Sequence, residues 1–193
     1  MSLFRKIDAK ADLGAPASLK SSIQRAIRTK LVEQFPESLG ANDGALLDQI
    51  WPKKEPVTTV KFKREHVQLI VVRGMPIFFQ QYDGPFVPTL RVLHQYPDLL
   101  PKVQVDRGAI RFVLSGANIM APGLTSAGGR LPEERLEKGT IVGVNSQGKE
   151  YEVSVGVLNM ASDEIAAAGK GIAIDNLHCI GDDLWMICAR GGL

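Results

Sequence analysis

The chain has few of the side chains from which metal sites and disulfide frameworks are built. Its 193 residues include 2 cysteines and 3 histidines. Two cysteines are too few for a disulfide framework or for a four-ligand zinc site. His66, His94 and His178 are well separated, and none stands in the spacing of metal ligands. The sequence therefore predicts neither a metal site nor a cofactor.

Long apolar runs are also lacking. Runs such as Leu69-Ile70-Val71-Val72 are far shorter than the ~20 apolar residues that span a bilayer. Charged side chains between Arg5 and Asp12 interrupt the start of the chain, which excludes the apolar core of a secretory signal there. We therefore expect a cytoplasmic protein with no membrane partner.

Catalytic signatures are missing as well. Neither the phosphate-binding pattern Gly-x4-Gly-Lys-Ser/Thr nor the nucleophile pattern Gly-x-Ser-x-Gly occurs. Ser115 has no evident base partner, and Asp182-Asp183 is typical of a turn. Cys179 and Cys188 lie in an apolar segment and are predicted to be core thiols. The sequence predicts no catalytic residue, and we interpret the protein as a non-enzyme.

The net charge of +2 does not by itself indicate a polyanionic partner, but the charges are unevenly distributed. Residues 1–100 carry 14 basic and 10 acidic side chains, whereas residues 101–193 carry 9 and 11. The positive excess therefore lies in the first half. Because local patches set the electrostatic field, this difference alone is weak support for RNA binding.

Residues 106–124 form the stretch around which the second half is organised. Asp106 is placed to cap a short helix, and Gly116 is placed to end it because glycine adopts positive φ at little cost. An extended segment should follow and break at a turn formed by Pro122-Gly123. The backbone at Gly116-Ala117 should then be bare. A bare corner allows a phosphate to approach, but from this stretch alone a simple packing turn is the favoured interpretation.

Basic residues cluster in the first half around a predicted strand. Alternation over residues 60–64 directs Val60 and Phe62 to one face and Lys61 and Lys63 to the other. Prolines hold the preceding lysines in an extended segment. We expect one basic patch suited to a phosphate backbone, with solubility and strand-edge protection as the alternative. The patch consists of Lys53, Lys54, Lys61, Lys63 and Arg64.

The remaining periodicity predicts an α+β domain over residues 1–98, followed over residues 99–193 by a mostly-β barrel with short helices. An apolar stripe from Leu19 to Phe35 predicts a helix that Pro36 ends. A hairpin is expected around Arg73-Gly74, and an irregular loop over residues 82–88. In the second half, residues 184–188 are predicted to form the last strand.

Several motifs in one order resemble a known family. Ser115 to Leu124, with the sequence Ser-Gly-Ala-Asn-Ile-Met-Ala-Pro-Gly-Leu, resembles the signature of PUA domains, which are small RNA-binding pseudo-barrels. Four further segments are similar to the malignant-T-cell-amplified-sequence family, in which a distinct amino-terminal domain precedes a PUA domain. These segments are Glu33-Gln34-Phe35-Pro36, Pro52-Lys53-Lys54, Gly84 to Arg91 and Val105 to Ile110.

The resemblance implies a non-catalytic translation factor. Members of this family pair with density-regulated protein, bind the small ribosomal subunit, promote release of deacylated tRNA and mRNA after termination, and support reinitiation. By analogy, the basic patch would contact ribosomal RNA, and the PUA domain would face the tRNA acceptor end. The residues expected at the acceptor end are Arg107, Arg111, Gly116, Ala117, Asn118 and Gly123. The alternatives are an accessory RNA-binding subunit in tRNA or rRNA modification, and a module that only holds its partner chain.

Overall fold

The structure of the protein is a computed structural model that describes the backbone of residues 1–193 and the side chains of all except Ala9 and Lys10. The chain forms two compact units, which we call the amino-terminal and carboxy-terminal units. The former contains Ile7–Val92 with Ile187–Leu193, and the latter contains Met1–Lys6 with Leu93–Met186. The sequence-based boundary between residues 98 and 99 stays a prediction.

A five-stranded antiparallel sheet and short helices build the amino-terminal half of the chain. The strands follow one another in the order β1-β2-β3-β4-β5. The α+β class predicted for this half is confirmed. Its elements are α1 (Ala9–Asp12), β1 (Ala17–Ser18), α2 (Ser21–Gln34), α3 (Ala45–Ile50), β2 (Val57–Phe62), β3 (Val67–Val72), β4 (Met75–Gln81), β5 (Phe86–Pro88) and α4 (Leu90–Gln95).

Local signals explain most of these elements. Helix α2 buries Ile27 and Leu31 from the predicted stripe and ends before Pro36. In β2, Val60 and Phe62 are buried while Lys61 is exposed, as the alternation predicts. The β3–β4 hairpin turns at Arg73-Gly74, where φ is 53° and 76°, respectively. Two successive positive φ angles match the twist of a tight hairpin.

The prediction of an irregular loop over residues 82–88 was wrong for its last part. Phe86–Pro88 forms β5, which pairs with β4 at one edge of the sheet. The other side of this short strand is hydrogen-bonded by the Gln34 carboxamide. The Gln34 Nε2 donates to the Phe86 carbonyl at 2.7 Å, and the Phe86 N–H donates to Gln34 Oε1 at 2.9 Å. A side chain distant in sequence thus completes the pairing of β5.

An open half-barrel sheet forms the framework of the carboxy-terminal half. Its strand order is β6-β8-β9-β10-β7, in which β6 and β8 are parallel and the other neighbours are antiparallel. The predicted mostly-β architecture with short helices is confirmed. The elements are β6 (Lys102–Val105), α5 (Ile110–Leu114), β7 (Ile119–Met120), α6 (Ala121–Thr125), β8 (Ile141–Ser146), β9 (Glu152–Leu158), α7 (Ser162–Ala168), β10 (Ile172–Cys179) and α8 (Asp183–Ala189).

Three short helices pack on the core of this sheet. Val113 from α5, Leu124 from α6 and Ile165 from α7 are buried together with apolar side chains from β6, β8, β9 and β10. Burial of each such side chain contributes about 1.5–3 kcal/mol. The helices are too short to be stable alone, so they are held by this core. Packing therefore fixes the position of α5 and α6, which border the candidate site.

Two sequence-based assignments in this half were wrong. Residues 184–188 form part of helix α8 rather than a strand. The Asp182 Oδ1 accepts a hydrogen bond from the Trp185 N–H at 2.9 Å and caps this helix, a signal that outweighs the short apolar run. Pro122-Gly123 lies inside helix α6 rather than in a turn. Proline is tolerated in the first turn of a helix, because its missing N–H would be unbonded there anyway.

The described residues form neither a membrane-spanning helix nor a cluster of metal-binding side chains. None of the helices they build has the length and apolarity required to cross a membrane. The described side chains also form no group of three or more histidine, cysteine, aspartate or glutamate residues that could hold a metal ion.

Candidate nucleic-acid interface

A cleft of about 620 Å³ opens beside helices α5 and α6 in the carboxy-terminal unit. Its lining is largely apolar or small, and Asn118 and Asp106 supply the polar side chains. We call it the apolar cleft. The residues that line it are Asp106, Gly108, Ala109, Phe112, Val113, Ala117, Asn118, Ile119, Met120, Pro122, Gly123 and Ile172.

Large apolar side chains stand exposed around this cleft. The exposed fractions are 52% for Phe112, 48% for Met120 and 43% for Ile172. The Arg111 guanidinium carbon lies 4.6 Å from the centroid of the Phe112 ring, a cation–π distance. A clustered set of exposed apolar groups indicates a binding surface. With a cation beside an exposed ring, this surface is suited to stack an unpaired base next to its phosphate.

The corner at Gly116 ends helix α5 with a φ of 80°, as predicted. The expectation that its backbone is bare was wrong. The Ser2 N–H donates to the Gly116 carbonyl at 2.7 Å, and Arg5 Nη2 donates to the Leu114 carbonyl at 2.9 Å. A Cβ at Gly116 would lie 2.8 Å from Arg5 Nε and 3.1 Å from Ser2 Cβ. The segment Ser2–Arg5 therefore covers this corner and brings an additional arginine to it.

A buried amide holds the floor of the apolar cleft in place. Asn176 on β10 donates through Nδ2 to the carbonyls of Val113 and Ala117, at 3.1 and 3.0 Å. Its Oδ1 accepts from the Ser154 hydroxyl at 2.9 Å. Asn118 extends the network, since its Nδ2 donates to Asp175 Oδ1 at 2.8 Å and its Oδ1 accepts from the Asn176 N–H at 3.2 Å. These bonds fix helix α5 and the following loop on the sheet.

The structure brings together most residues predicted for the acceptor end. Ala117, Asn118 and Gly123 line the apolar cleft, while Arg107 is exposed on the turn before α5 and Arg111 is exposed on α5 itself. A Cβ at Gly123 would lie 3.1 Å from the Ala109 Cβ, so Gly123 allows α6 to approach the turn before α5. The role of these residues in RNA binding stays a prediction.

The five cations predicted as one patch lie at the two ends of β2. Lys53 and Lys54 precede the strand in a turn closed by the Glu55 N–H and the Pro52 carbonyl at 3.1 Å, so the extended conformation predicted for them was wrong. Lys61, Lys63 and Arg64 lie at the end of the strand and in the following turn. At about 3.3 Å per strand residue, the two groups are roughly 20 Å apart. All five side chains are exposed. They thus form two basic sites rather than one cluster.

Some of these cations are partly neutralised. Lys53 Nζ lies 3.0 Å from Asp48 Oδ2, and Arg28 also bonds to this carboxylate. The hydrogen bond from Lys53 and the charge of Arg28 together hold the pKa of Asp48 below its ordinary value. Arg64 Nη2 lies 3.8 Å from Asp12 Oδ2. Among the side chains that the structure describes, Lys54, Lys61 and Lys63 take part in no ion pair.

A second concavity, of about 460 Å³, lies beside the end of β2 in the amino-terminal unit. We call it the lysine groove. It combines two cations, two stacked aromatic rings and one carboxylate. The lining residues are Lys61, Phe62, Lys63, His66, Val67, Gln68, Tyr82 and Asp83.

Comparison with known proteins gives this geometry a context. Residues 7–97 match a Pre-PUA-like domain, and residues 101–180 match a PUA domain. The chain is 46% identical over 183 residues to malignant T-cell-amplified sequence 2 of Homo sapiens, a match that covers 95% of this chain and 97% of the human protein. The chain belongs to the malignant-T-cell-amplified-sequence family. The resemblance seen in the sequence motifs is thereby confirmed.

Other relatives and solved structures extend the comparison for this family member. Translation machinery-associated protein 20 of Saccharomyces cerevisiae is 44% identical over 184 residues, which cover 95% of this chain and 97% of the yeast protein. The crystal structure of a hypothetical protein from Pyrococcus horikoshii superimposes with a TM-score of 0.70 at 22% identity, covering 90% of this chain and 99% of that one. At this identity the archaeal structure supports the fold alone.

Four residues of the candidate interface in this member of the malignant-T-cell-amplified-sequence family were missed by sequence reasoning. Phe112, Met120 and Ile172 border the apolar cleft, and Arg5 covers its corner. Phe112 had a local signal, because it lies off the apolar face of α5 and is nevertheless aromatic. Arg5 had none, since it is 109 residues away from the carbonyl that it bonds.

A buried carboxylate ties residues 2–5 to the half-barrel in this family member. Asp182 Oδ2 accepts hydrogen bonds from the Ser2 hydroxyl at 2.8 Å and from the Cys179 N–H at 2.9 Å. His178 Nδ1 lies 2.9 Å from both carboxylate oxygens. The Ser2 hydroxyl is thus bonded to the carboxylate and not to the imidazole, so this trio lacks the nucleophile–base order of a hydrolase. Its geometry indicates a structural role.

The two cysteines of this family member are free and buried, as predicted for core thiols. Burial, together with the nearby Asp182 carboxylate, raises the pKa of Cys179 to about 11. The thiol is therefore protonated at neutral pH. Because the thiolate is the reactive form, Cys179 is a poor nucleophile.

Proposed function

We propose that this protein is a non-catalytic, RNA-binding translation factor. Together with a density-regulated-protein-like chain, it binds the small ribosomal subunit and tRNA. It acts in the cytoplasm, in post-termination release of deacylated tRNA and mRNA and in reinitiation. The PUA domain contacts the tRNA acceptor end, and the amino-terminal domain contacts ribosomal RNA. The domains responsible are residues 99–193 and 1–98, respectively.

The apolar cleft with its arginine rim is the observation that carries this proposal. The acceptor end of a tRNA is single-stranded, so its bases expose faces that can stack on aromatic side chains. The exposed Phe112 ring offers such a face, and Arg111 lies beside it. The names of the fungal relatives, which associate them with the translation machinery, support the same biological context.

The exposed lysines support the ribosomal RNA contact. Lys54, Lys61 and Lys63 take part in no ion pair with the side chains described, so their charges are available to phosphates. Two basic sites about 20 Å apart fit an extended phosphate backbone better than a compact anion. Phosphate contacts position a protein on folded RNA without reading its sequence.

Binding through two domains compensates for the slight excess of acidic side chains in the PUA domain. Residues 101–193 carry 9 basic and 11 acidic side chains, so electrostatic attraction to RNA is small there. Linking this domain to the basic amino-terminal domain and to the partner chain raises its effective concentration at the tRNA. We therefore expect the complete complex to bind the small subunit much more tightly than the PUA domain alone.

A charge-reversal variant tests the proposal. Replacing Lys53, Lys54, Lys61 and Lys63 with glutamate should weaken small-subunit binding by about 100-fold or more at physiological salt, because repulsion replaces attraction to phosphates. Sedimentation with purified small subunits measures this, and co-purification measures binding of the partner chain, which should be kept.

The matched control reverses four other exposed lysines, which changes the net charge equally. These are Lys20, Lys138, Lys149 and Lys170. The control should retain most small-subunit binding. If the first variant binds the small subunit as well as the control does, the lysines do not contact ribosomal RNA. If neither the wild type nor the control binds it, the proposed function itself is wrong.

A further inference from the structure

Two turn residues of the amino-terminal unit adopt an unusual backbone conformation and touch each other. His66 and Tyr82 have φ angles of 52° and 49°. Positive φ is a genuine outlier for a bulky residue such as Tyr82, whereas histidine adopts it more readily than most side chains. Such outliers persist where the surrounding structure imposes them and are enriched at functional sites.

The surrounding structure imposes this conformation on both residues. His66 precedes β3 and Tyr82 follows β4, and these strands pair with Val67 opposite Gln81. The Tyr82 N–H donates to the His66 carbonyl at 3.0 Å, which joins the two turns. As a result the two rings stack, with centroids 4.8 Å apart and an interplanar angle of 23°. Tyr82 is 66% exposed, so this stack faces solvent rather than a core.

The stack lines the lysine groove together with Lys61 and Lys63. Both ammonium groups are exposed, and among the described side chains neither takes part in an ion pair. The Asp83 carboxylate also lines the groove. It repels phosphate but accepts hydrogen bonds from the exocyclic amino group of a base or from a ribose hydroxyl.

We propose that the lysine groove binds an unpaired nucleotide of RNA, with the base stacked on the Tyr82–His66 pair and the flanking phosphates at Lys61 and Lys63. This proposal rests on the proposed RNA-binding function and adds a base-recognising site to the amino-terminal domain. A duplex hides the faces of its bases, so the ring stack has no role if the groove only touches a helical backbone. The combination of rings, cations and one acceptor fits a flipped or single-stranded nucleotide.

The experiment compares two RNA probes on the full-length protein. One is a fluorescein-labelled oligoadenylate of about 12 nucleotides, and the other is an abasic ribose–phosphate oligomer of the same length. Fluorescence anisotropy gives the affinity of each. The variants are Tyr82→Asn, which removes the ring with a residue that tolerates positive φ, and Tyr82→Phe, which keeps the ring.

Tyr82→Asn should weaken oligoadenylate binding by about tenfold, a typical effect of losing one stacking ring, and change abasic binding by less than twofold. Tyr82→Phe should bind both probes within about twofold of the wild type. Circular dichroism and the thermal midpoint confirm that each variant is folded.

Equal weakening of both probes by Tyr82→Asn, or no weakening of either, overturns the stacking site, since the groove would then be a polyanion site or would bind no RNA. This test of the lysine groove can fail independently of the test of the proposed function, in which the variant with four lysines replaced by glutamate is assayed for small-subunit binding. Loss of small-subunit binding there, with no effect of Tyr82→Asn, keeps the proposed function and rejects only the stacked nucleotide. An effect of Tyr82→Asn on oligoadenylate with normal small-subunit binding by the four-lysine variant supports the groove and rejects the ribosomal assignment.

Discussion

The apolar cleft and the lysine groove are built in different ways. The cleft is shaped by buried hydrogen bonds from Asn176 and by core side chains such as Val113. The groove is shaped by two exposed turns, with cations on flexible stems and rings that contact each other at the surface. The polar groups of the cleft floor are therefore buried in its unit, whereas the rings and ammonium groups of the lysine groove stand exposed on turns and on the strand end beside the core residues Phe62 and Val67.

If both proposed sites bind RNA, this difference predicts two modes of recognition. Apolar contacts and stacking in a preformed cleft depend little on salt, while lysine contacts to phosphates weaken as salt rises. Changes in the cleft should therefore lower both stability and binding, and changes in the groove should lower binding alone. The predictions below test this contrast, in order of decreasing effect.

Replacing Asn176 with alanine should have the largest effect. The change removes two donated hydrogen bonds and one accepted bond. The Val113 carbonyl keeps its bond from the Gly116 N–H at 2.8 Å, whereas the Ala117 carbonyl loses the donor that Asn176 supplies. At about 1 kcal/mol or more for each lost bond, the free energy of unfolding should fall by about 3–4 kcal/mol. Urea unfolding at constant m-value measures this change.

The control for Asn176 is Ser154→Ala, which removes only the Ser154–Asn176 bond. It should cost about 1 kcal/mol. If the two variants were equally stable, the amide network would not hold the floor of the cleft, and the contrast between the two sites would fail.

Gly116→Ala should have the second-largest effect, about 2 kcal/mol. The substitution forces an alanine to a φ of 80° and places its Cβ 2.8 Å from Arg5 Nε. The φ penalty alone is about 1–2 kcal/mol. Gly148→Ala is the matched control, because its φ is 76° and nothing lies within 4 Å of the added Cβ. Thermal or urea unfolding should show a smaller loss in the free energy of unfolding for Gly148→Ala than for Gly116→Ala. Equal losses would mean that the Ser2–Arg5 segment does not pack on this corner.

The third prediction compares salt dependences directly. Phe112→Ala should weaken binding of a single-stranded oligomer by about tenfold with an unchanged salt slope, because it removes a stacking surface and no charge. Lys61→Gln with Lys63→Gln should also weaken binding, and should reduce the slope of log K against log salt by about 1.4, or roughly 0.7 for each lost phosphate contact. Anisotropy titrations at several salt concentrations measure both slopes.

Identical slopes for the two variants would contradict the distinction between the sites. Loss of stability in the double lysine variant would contradict it in another way, because exposed lysines outside any described ion pair should contribute little to folding. Urea unfolding of the double variant provides this second measurement.

The sequence predicted features that depend on neighbouring residues. The helix end at Gly116, the hairpin at Arg73-Gly74 and the alternation of Val60 and Phe62 were all correct. These features follow from φ preferences and from the two-residue period of a strand, which a short window of sequence contains.

The sequence did not predict features formed by residues distant along the chain. Ser2 reaches Gly116, and Gln34 completes the edge of β5, through contacts that no periodicity encodes. The same limit applies to the stacked pair, because His66 and Tyr82 meet only through the register of β3 and β4. The helix at residues 183–189 was missed for a local reason, since a short apolar run fits a strand or a buried helix equally well.

The last prediction concerns the stability of the protein at acid pH. The contribution of Asp182 to the free energy of unfolding should not change between pH 7 and about pH 5. Burial alone would raise the pKa of the Asp182 carboxyl, but its pairing with His178 and the hydrogen bonds from the Trp185 and Cys179 N–H groups hold this pKa below its ordinary value. The folded state therefore binds this proton less readily than the unfolded chain, whose aspartate titrates near pH 3.9. The stabilisation is complete above that value and is lost as the pH falls through the lower, folded pKa.

Urea midpoints of the wild type should thus decrease below about pH 4, and Asp182→Asn should flatten this decrease while lowering stability at pH 7. Equal acid sensitivity of the two proteins would show that carboxylates other than Asp182 control the acid transition.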